Sequence, residues 1–343
     1  MSDLIPLLEE LCLLPGPSGN EGAVREYILR QIDGHAECSV DPLGNIIAHK
    51  RGSRRAVRNI MVDAHMDEVG LIVTGVTAEG YLRFGTLGGI DPRVLLGRRV
   101  LLGKTAGVIG CVPVHLLPAD QRQSMPAVDD MVIDIGAADR EEALSVVSLG
   151  DTAVFDSGFV RFGDGMIQAK AIDDRAGCAI LISLLCSDSL YDFIATFTVQ
   201  EENGLIGART ASFTVEPDAA IVLESTTAAD LPGVPEERRV CRVGEGPVVS
   251  MMDLRTIYDR GLSRLALDTA REQNIPCQIK QAVAGGNNAG AIHASRGGVR
   301  TVSLSLPCRY LHSPTCVIGE SDLVNTARLA ERLLEIMASG EKE

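Results

Sequence analysis

The chain has 343 residues, which is long enough to bury a large core and favours two domains over one compact unit. Its 46 Asp and Glu residues outnumber its 32 Lys and Arg residues, and the formal net charge of −14 would repel a phosphate backbone, so no nucleic-acid partner is expected. Aromatic residues make up only 3% of the chain and Trp is absent, so a sugar-binding cleft would be poorly supplied with stacking rings.

Three features of the sequence indicate a cytoplasmic protein: its N-terminal residues, its hydrophobic stretches and its cysteines. Residues 1–14 contain acidic side chains among leucines and no cationic leader, so we expect an amphipathic helix rather than a signal peptide. No stretch approaches the roughly 18 apolar residues of a membrane span, so no membrane partner is expected. The nine cysteines are odd in number and never form a CxxC pair, which favours reduced, buried thiols over a disulfide framework.

The first 67 residues are predicted to form two helices and three strands. These elements cover residues 3–14, 20–33, 36–40, 46–50 and 59–64. Ser18 and Glu21 have the spacing of a capping box at the start of the second helix. The turn-forming segment 41–45 predicts a hairpin between strands 36–40 and 46–50. The short apolar strand 59–64 runs into His65.

The middle of the chain shows many short strands with alternating polarity. The predicted strands cover residues 71–76, 81–84, 107–114, 131–135 and 152–155. Only residues 140–147 have a helical pattern. Gly85, Gly88 and Gly89 could suggest a phosphate loop, but no Lys-Ser/Thr pair follows them, so a β-turn is the better prediction.

After about residue 165 strands and helices alternate. The predicted strands cover 166–171, 193–200, 219–223, 277–282 and 299–306, and the predicted helices cover 174–187, 204–213, 256–273, 288–295 and 320–337. Such alternation is typical of an α/β sheet with parallel strands. We therefore predict a discontinuous α/β domain, residues 1–67 and 164–343, interrupted by a small β-barrel-like domain, residues 68–163.

Ionisable residues follow one predicted strand after another, at the sheet edge where ligands of open α/β sheets gather. They are His65, Asp67, Asp173, Asp174, Glu201, Glu202, Glu224 and His312. Carboxylates brought together in this way would repel one another unless a cation neutralised them. Nitrogen and carboxylate ligands without thiolate suit zinc best, with cobalt or manganese as alternatives.

Two of the acidic residues are candidates for roles other than metal binding. In the adjacent pair Glu201-Glu202, one carboxylate could ligate a metal while the other serves as general base toward a bound water. Asp67 lies two residues after His65 and could fix the tautomer of that imidazole. No metal role is expected for the remaining histidines, which are His35, His49, His115 and His293.

Four segments of the chain resemble the tetrahedral aminopeptidase and glutamyl aminopeptidase family of di-metal peptidases. They are Ala64-His65-Met66-Asp67-Glu68-Val69-Gly70, Lys170-Ala171-Ile172-Asp173-Asp174-Arg175, Gln200-Glu201-Glu202-Asn203-Gly204 and Arg309-Tyr310-Leu311-His312-Ser313. Any one of these segments alone would be weak, but the four in order and in register are specific. The resemblance extends over nearly the whole chain and implies an α/β/α mixed-sheet fold.

The resemblance also implies a set of roles. Asp173 would bridge two divalent ions, with His65 and Glu224 completing one site and Glu202 and His312 the other. Glu201 would be the general base toward a metal-bridged water, Asp67 the partner of His65, and the Asp173-Asp174 peptide bond cis. The expected activity is removal of N-terminal residues from short peptides, and the inserted domain is expected to mediate assembly into dimers or a hollow dodecamer.

The sequence departs from the family pattern at two positions. Residue 224 is Glu where Asp is common, and Asn288 stands where the family has an acidic residue, which bears on loop electrostatics or substrate placement. Two other functions remain as alternatives. One is a β-glucan hydrolase with paired carboxylates, against which the two histidines and the few aromatics count; the other is a catalytically silent assembly module.

Overall fold

The computed structural model describes residues 4–120 and 122–341 and contains eight α-helices and seventeen strands within that part of the chain. The helices are α1 (Leu4–Leu13), α2 (Gly22–Gln31), α3 (Arg140–Val146), α4 (Ile172–Cys186), α5 (Ile206–Val215), α6 (Arg260–Glu272), α7 (Ala289–Ile292) and α8 (Glu320–Ser339). The predicted start of the first helix at residue 3 lies outside the described residues.

The seventeen strands of the described chain form two open sheets and one closed barrel. They are β1 (Glu37–Val40), β2 (Ile46–Lys50), β3 (Ile60–His65), β4 (Gly70–Val76), β5 (Leu82–Leu87), β6 (Arg99–Leu102), β7 (Thr105–Cys111), β8 (Met131–Asp134), β9 (Thr152–Phe155), β10 (Val160–Phe162), β11 (Met166–Ala169), β12 (Phe193–Thr198), β13 (Ala219–Thr227), β14 (Val248–Val249), β15 (Gln278–Ile279), β16 (Arg300–Cys308) and β17 (Cys316–Gly319).

The large sheet is mixed and has the order β1-β2-β12-β3-β13-β16-β14-β15. Its four central strands, β12, β3, β13 and β16, run parallel to one another. Side chains of successive residues point to opposite faces, so Ile60 and Val62 pack into the core shared with α1, α4 and α8, whereas Met61 packs on the other face with α5 and α7. This arrangement of helices on both sides is the predicted α/β/α sandwich.

Residues between β3 and α4 form a closed barrel and two strands of a third sheet. Strands β4-β5-β8-β7-β6-β9 close into an antiparallel barrel with its own core, which includes Leu71, Leu82, Val100 and Ile133. Strands β10 and β11 form a three-stranded sheet with β17. The sequence patterns did not indicate β6, β10, β14 or β17, which are two to four residues long.

Three local predictions were wrong. Ser18 and Glu21 form no capping box; helix α2 has Glu21 as its N-cap and no side-chain cap, and Ser18 Oγ donates instead to Asp67. Helix α6 begins at Arg260 rather than at 256, because Asp259 caps it by accepting from the backbone N–H of Leu262. Strand β15 spans only Gln278–Ile279 rather than residues 277–282.

Candidate active site

The carboxyl ends of the central parallel strands bring together the residues singled out by the sequence. His65 ends β3, Glu202 lies in the turn after β12, Glu224 lies inside β13, and His312 lies in the loop between β16 and β17. Asp173 lies at the start of α4, which packs against β3 and β13. The sequence had placed Glu224 after its strand; β13 in fact continues to Thr227, but the side chain still reaches the cluster.

Asp173 lies between the two histidines and presents one carboxylate oxygen to each. Its Oδ1 atom is 3.5 Å from Nε2 of His65, and its Oδ2 atom is 3.3 Å from Nε2 of His312. Glu224 Oε1 is 3.5 Å from the first imidazole nitrogen, and Glu202 Oε1 is 3.2 Å from the second. Two three-residue groups therefore share one carboxylate.

Both imidazoles are oriented through their Nδ1 atoms. Nδ1 of His65 lies 3.1 Å from the carbonyl oxygen of Asp67, and Nδ1 of His312 lies 2.8 Å from the carbonyl oxygen of Gly89. A carbonyl can only accept, so each Nδ1 acts as the donor and each Nε2 faces the carboxylates. Nε2 is therefore the ring nitrogen that would ligate a metal ion at this site.

Asp67 organises the turn that carries the Glu pair. Its Oδ1 and Oδ2 atoms accept from the backbone N–H groups of Glu201 and Glu202 at 2.9 and 3.1 Å. The hydroxyl of Ser18 also donates to Oδ2, at 2.6 Å. Burial would raise the pKa of Asp67, but the neighbouring His65 imidazole, followed by the Ser18 hydroxyl and the Glu201 N–H, favours the carboxylate and keeps the pKa below its usual value.

The cluster fits a cation. Burial raises the pKa of Glu224 well above its usual value and that of Glu202 to about 8, and neighbouring carboxylates add to both shifts. Asp173 Oδ1, Glu202 Oε1 and Glu224 Oε2 are buried without a hydrogen-bond partner among the described residues. Unpaired buried oxygens of this kind are costly, and divalent ions held by the two groups, each with one Nε2 atom, would satisfy them.

Glu201 lies beside this cluster. It is buried, and burial raises the pKa of its carboxyl well above the usual value, with Glu202 adding to the shift. The peptide bond between Asp173 and Asp174 is cis, as the resemblance implied.

An open cavity of about 430 Å³ lies over the cluster. Besides the acidic residues, its lining contains Lys280 and Arg255, which come from the segments on either side of α6. Nζ of Lys280 donates to the carbonyl of Ala284 at 2.7 Å. Within the described part of the lining there is no Phe, Tyr or Trp.

Sequence reasoning missed a buried ionic network that joins two of the motifs. Lys170 Nζ donates to both carboxylate oxygens of Glu68 at 2.7 and 2.8 Å, and Arg175 approaches the same carboxylate at 3.4 Å. The Lys170 and Glu68 side chains are only 4% and 2% exposed. Glu68, Lys170 and Arg175 all lie in the motif segments 64–70 and 170–175, which is the feature of the sequence that could have indicated the network. The network joins the first loop after β3 to the start of α4.

Asn288 does not face the cavity. Its Nδ2 atom donates to Asp63 Oδ2 and to Thr198 Oγ1, both at 2.8 Å, beneath the sheet edge. Burial raises the pKa of Asp63 to about 6. Asn288 therefore stabilises β3 through Asp63, and the exchange of an acidic residue for Asn at this position does not change the lining of the cavity.

The remaining histidines lie outside the cluster. His293 follows the last residue of α7, and its Nδ1 lies 2.8 Å from the carbonyl oxygen of Ala289 at the start of that helix. His115 lies in a single 3₁₀ turn of the barrel segment. All nine cysteines are free thiols, and five of them are buried. No helix of the described chain combines the length and apolarity needed to cross a bilayer.

Sequence comparisons give the class of protein. The profile of the M42 glutamyl aminopeptidase family matches residues 44–329. The chain is 39% identical over 332 residues to a putative aminopeptidase of Acetivibrio thermocellus, covering 95% of this chain and 97% of that protein. It is 32% identical over 342 residues to a lysyl aminopeptidase of Pyrococcus furiosus, covering 96% of each, and 31% identical over 337 residues to a glutamyl aminopeptidase of Lactococcus lactis, covering 94% and 93%.

The protein is therefore an aminopeptidase, a hydrolase of peptide bonds. It belongs to the M42 glutamyl aminopeptidase family, whose members are metal-dependent.

Solved structures confirm the predicted fold class. A TET aminopeptidase from a marine-sediment Thaumarchaeota archaeon superposes with a TM-score of 0.92 at 35% identity, covering 97% and 96% of the two chains. A Pyrococcus horikoshii TET1 peptidase, described as assembling into a tetrahedron or a large octahedral shell, has a TM-score of 0.84 at 36% identity and 96% and 98% coverage. A Thermotoga maritima structure described as an endoglucanase has a TM-score of 0.80 at 35% identity, covering 98% and 97%.

Proposed function

We propose that this aminopeptidase removes N-terminal residues from short peptides with two divalent ions held by the clustered side chains. His65 and Glu224 would hold one ion, His312 and Glu202 the other, and Asp173 would bridge them. The observation that carries the proposal is the position of Asp173, whose two carboxylate oxygens face two different imidazoles that are both protonated on Nδ1. Zinc suits this nitrogen and oxygen donor set, and cobalt or manganese are the alternatives.

When bound, the two ions would supply Lewis-acid stabilisation of the developing oxyanion and lower the pKa of water toward neutrality. Glu201 is the proposed general base. Glu201 lines the cavity beside Glu202, so its carboxylate is placed to accept a proton from the attacking water and to pass it to the leaving amine. Asp67 would support metal binding and proton transfer, because its carboxylate accepts from the Glu201 backbone N–H and lies 3.4 Å from Nδ1 of His65.

We also propose a preference for acidic N-terminal residues. Lys280 and Arg255 are the cationic residues among the described lining of a cavity that is otherwise rich in carboxylates. Metal ions would neutralise those carboxylates, which leaves the two cations to attract a substrate side chain of opposite charge. The names of relatives include both glutamyl and lysyl aminopeptidases, so the family alone does not decide this preference.

The glucan-hydrolase alternative is less well supported. Its basis is the description of the Thermotoga maritima structure. The described cavity lining offers no aromatic ring for a sugar to stack on, and the carboxylates are interleaved with imidazoles rather than placed as a lone pair across a cleft. A silent assembly module is equally poorly supported, because the full set of proposed ligands is present and clustered.

For the remainder of the chain we propose the division made from the sequence. Residues 1–67 and 164–343 would form the catalytic domain, and residues 68–163 would mediate self-association into dimers or a dodecamer. The separate barrel core and the assemblies described for the Pyrococcus horikoshii relative support this proposal. The nine free thiols support a cytoplasmic location.

The test is a panel of aminoacyl p-nitroanilides assayed with metal-free protein before and after addition of zinc, cobalt or manganese. We expect no hydrolysis without metal, recovery on addition, and two ions per chain by elemental analysis of the gel-filtered protein. Soluble cello-oligosaccharides serve as the parallel substrate. Full peptidase activity of the metal-free protein would refute the proposal, and metal-independent release of glucose units would establish the alternative.

A further inference from the structure

The two proposed metal sites differ in what orients their histidines. His65 is 1% exposed, and its Nδ1 atom is held by Asp67, two residues further along the same loop. His312 is 31% exposed, and its Nδ1 atom is held by the carbonyl oxygen of Gly89, 223 residues away and part of the barrel segment. The His65 imidazole is therefore oriented by a residue two positions away in the chain, whereas the His312 imidazole is oriented by the barrel segment.

Gly89 belongs to a short loop, residues 88–91, that leaves the end of β5. Asp91 ends this loop and accepts from the backbone N–H of Arg93 at 2.9 Å, which starts a 3₁₀ turn over residues 92–94. Leu95, directly after the turn, is fully buried in the barrel core. The position of the Gly89 carbonyl is thus set by the barrel.

The neighbouring glycine brings the loop against a second proposed ligand. Gly88 has φ of +81°, and a Cβ atom there would lie 2.8 Å from Val69 Cγ1 and 3.2 Å from Glu202 Oε2. A side chain at this position is therefore strained by the backbone conformation, would collide with Val69 and would press on Glu202. The loop touches Glu202 and His312, the two residues that complete the more exposed site.

We propose that the barrel loop Gly88–Asp91 is a positioning element for the His312 and Glu202 metal site, and that the other site does not depend on it. The inference rests on the proposed dinuclear centre. The carbonyl of Gly89 fixes the imidazole with Nε2 toward Asp173, and the bare backbone of Gly88 leaves room for the Glu202 carboxylate. Loss of a partner of this kind typically lowers metal affinity by about 10- to 100-fold.

The test compares Gly88→Ala with Gly97→Ala. Gly97 also lies in the barrel segment with positive φ, +74°, but a Cβ there would meet no atom within 4 Å, so this variant controls for backbone strain alone. Metal-free proteins are titrated with zinc against a chromophoric chelator, and bound zinc is counted after gel filtration. We expect two tight ions for the wild type and Gly97→Ala. For Gly88→Ala we expect one tight ion and a second bound about 10- to 100-fold more weakly.

Wild-type affinity for both ions in Gly88→Ala would overturn the inference while leaving the dinuclear proposal intact. Fewer than two ions in the wild type would overturn the dinuclear proposal and the inference with it. If Gly88→Ala loses its far-ultraviolet circular dichroism, Asp91→Ala decides, because it releases the loop without adding atoms near Glu202. Selective weakening of one ion in Asp91→Ala supports the inference, and two ions of wild-type affinity overturn it.

Discussion

The Oδ1 atom of Asp67 accepts a hydrogen bond from the backbone N–H of Glu201 at 2.9 Å. The same carboxylate accepts from the N–H of Glu202 and from Ser18 Oγ, and it lies 3.4 Å from Nδ1 of His65. Donors face both oxygens of Asp67, so both oxygens must be hydrogen-bond acceptors. One side chain thereby fixes the proposed base relative to both groups of ligands.

Asp67→Asn should therefore be more harmful than its small change in shape suggests. The amide NH₂ would face a donor wherever it points, either Glu201 N–H or Glu202 N–H. We expect kcat/KM and zinc affinity to fall together by roughly 10- to 100-fold, measured by anilide hydrolysis and chelator competition. Ser18→Ala, which removes one donor only, should cost about 1 kcal/mol in stability and little activity. Equal effects of the two variants would show that Asp67 has no special role.

Glu201→Gln removes the proposed base but keeps its size and its place beside Glu202. We expect kcat to fall by about 10²- to 10⁴-fold, the usual contribution of general acid-base catalysis. Two bound metal ions and the Km for the substrate should remain near wild type, since Glu201 is not a proposed ligand. Activity within a few-fold of wild type would eliminate Glu201 as the base, and loss of metal would assign it to the coordination sphere instead.

Much of the site could be predicted because its residues stand at the ends of apolar strands, where the topology of an α/β sheet collects them. His65 and Glu202 follow this rule. The contact between Gly89 and His312 could not be predicted, because it involves a backbone carbonyl and two segments far apart in the chain. The capping-box pattern of Ser18 misled for a related reason, since a partner in a distant loop outweighed the local one.

The proposed preference for acidic N-terminal residues had no basis in the sequence patterns. The cavity lining is drawn from separate loops, and neither Lys280 nor Arg255 belongs to a motif. The net charge of −14 is a sum over the whole chain, so it does not show that Lys280 and Arg255 lie in the same cavity. Placing them required the fold of the loops around α6.

Lys170→Met should destabilise the protein, because it leaves the Glu68 carboxylate buried with Gly16 N–H at 3.1 Å and Arg175 at 3.4 Å. Breaking a buried ion pair from one side typically costs about 3 to 5 kcal/mol. We expect this loss in the urea unfolding of the metal-loaded protein and partial recovery in Lys170→Met/Glu68→Gln. Arg332→Met, which breaks an exposed pair with Glu335, should cost less than about 1 kcal/mol. Equal losses would contradict a structural role for the buried network.

Asn288→Asp would place a carboxylate against Asp63, where the amide now donates at 2.8 Å. Burial already raises the pKa of Asp63 to about 6, and a second carboxylate would raise the pKa of the pair further. Because the folded-state pKa exceeds the unfolded value, the destabilisation is fully present at high pH and is relieved as protonation restores a donor at lower pH.

The unfolding free energy of Asn288→Asp, relative to wild type, should therefore be lower at pH 8 than at pH 5.5. Asn288→Ala provides the control, since it removes the donor without adding a charge; it should cost about 1 to 3 kcal/mol and show a smaller difference between the two pH values than Asn288→Asp. A loss in Asn288→Asp that is the same at both values would mean that the two carboxylates do not interact.

Lys280→Ala tests the proposed preference for acidic N-terminal residues. If the Lys280 ammonium binds the substrate side chain, kcat/KM for glutamyl p-nitroanilide should fall by roughly 10- to 100-fold, the value of a hydrogen bond to a charged group, while the leucyl substrate is little affected. If Lys280 only balances the charge of Glu224 and its neighbours, both substrates should be affected alike.

Lys104→Ala changes the net charge equally at an exposed turn between β6 and β7 and should leave the ratio of the two kcat/KM values unchanged. A wild-type protein that hydrolyses lysyl p-nitroanilide faster than the glutamyl substrate would refute the preference, because two cations in the cavity should repel an N-terminal lysine side chain.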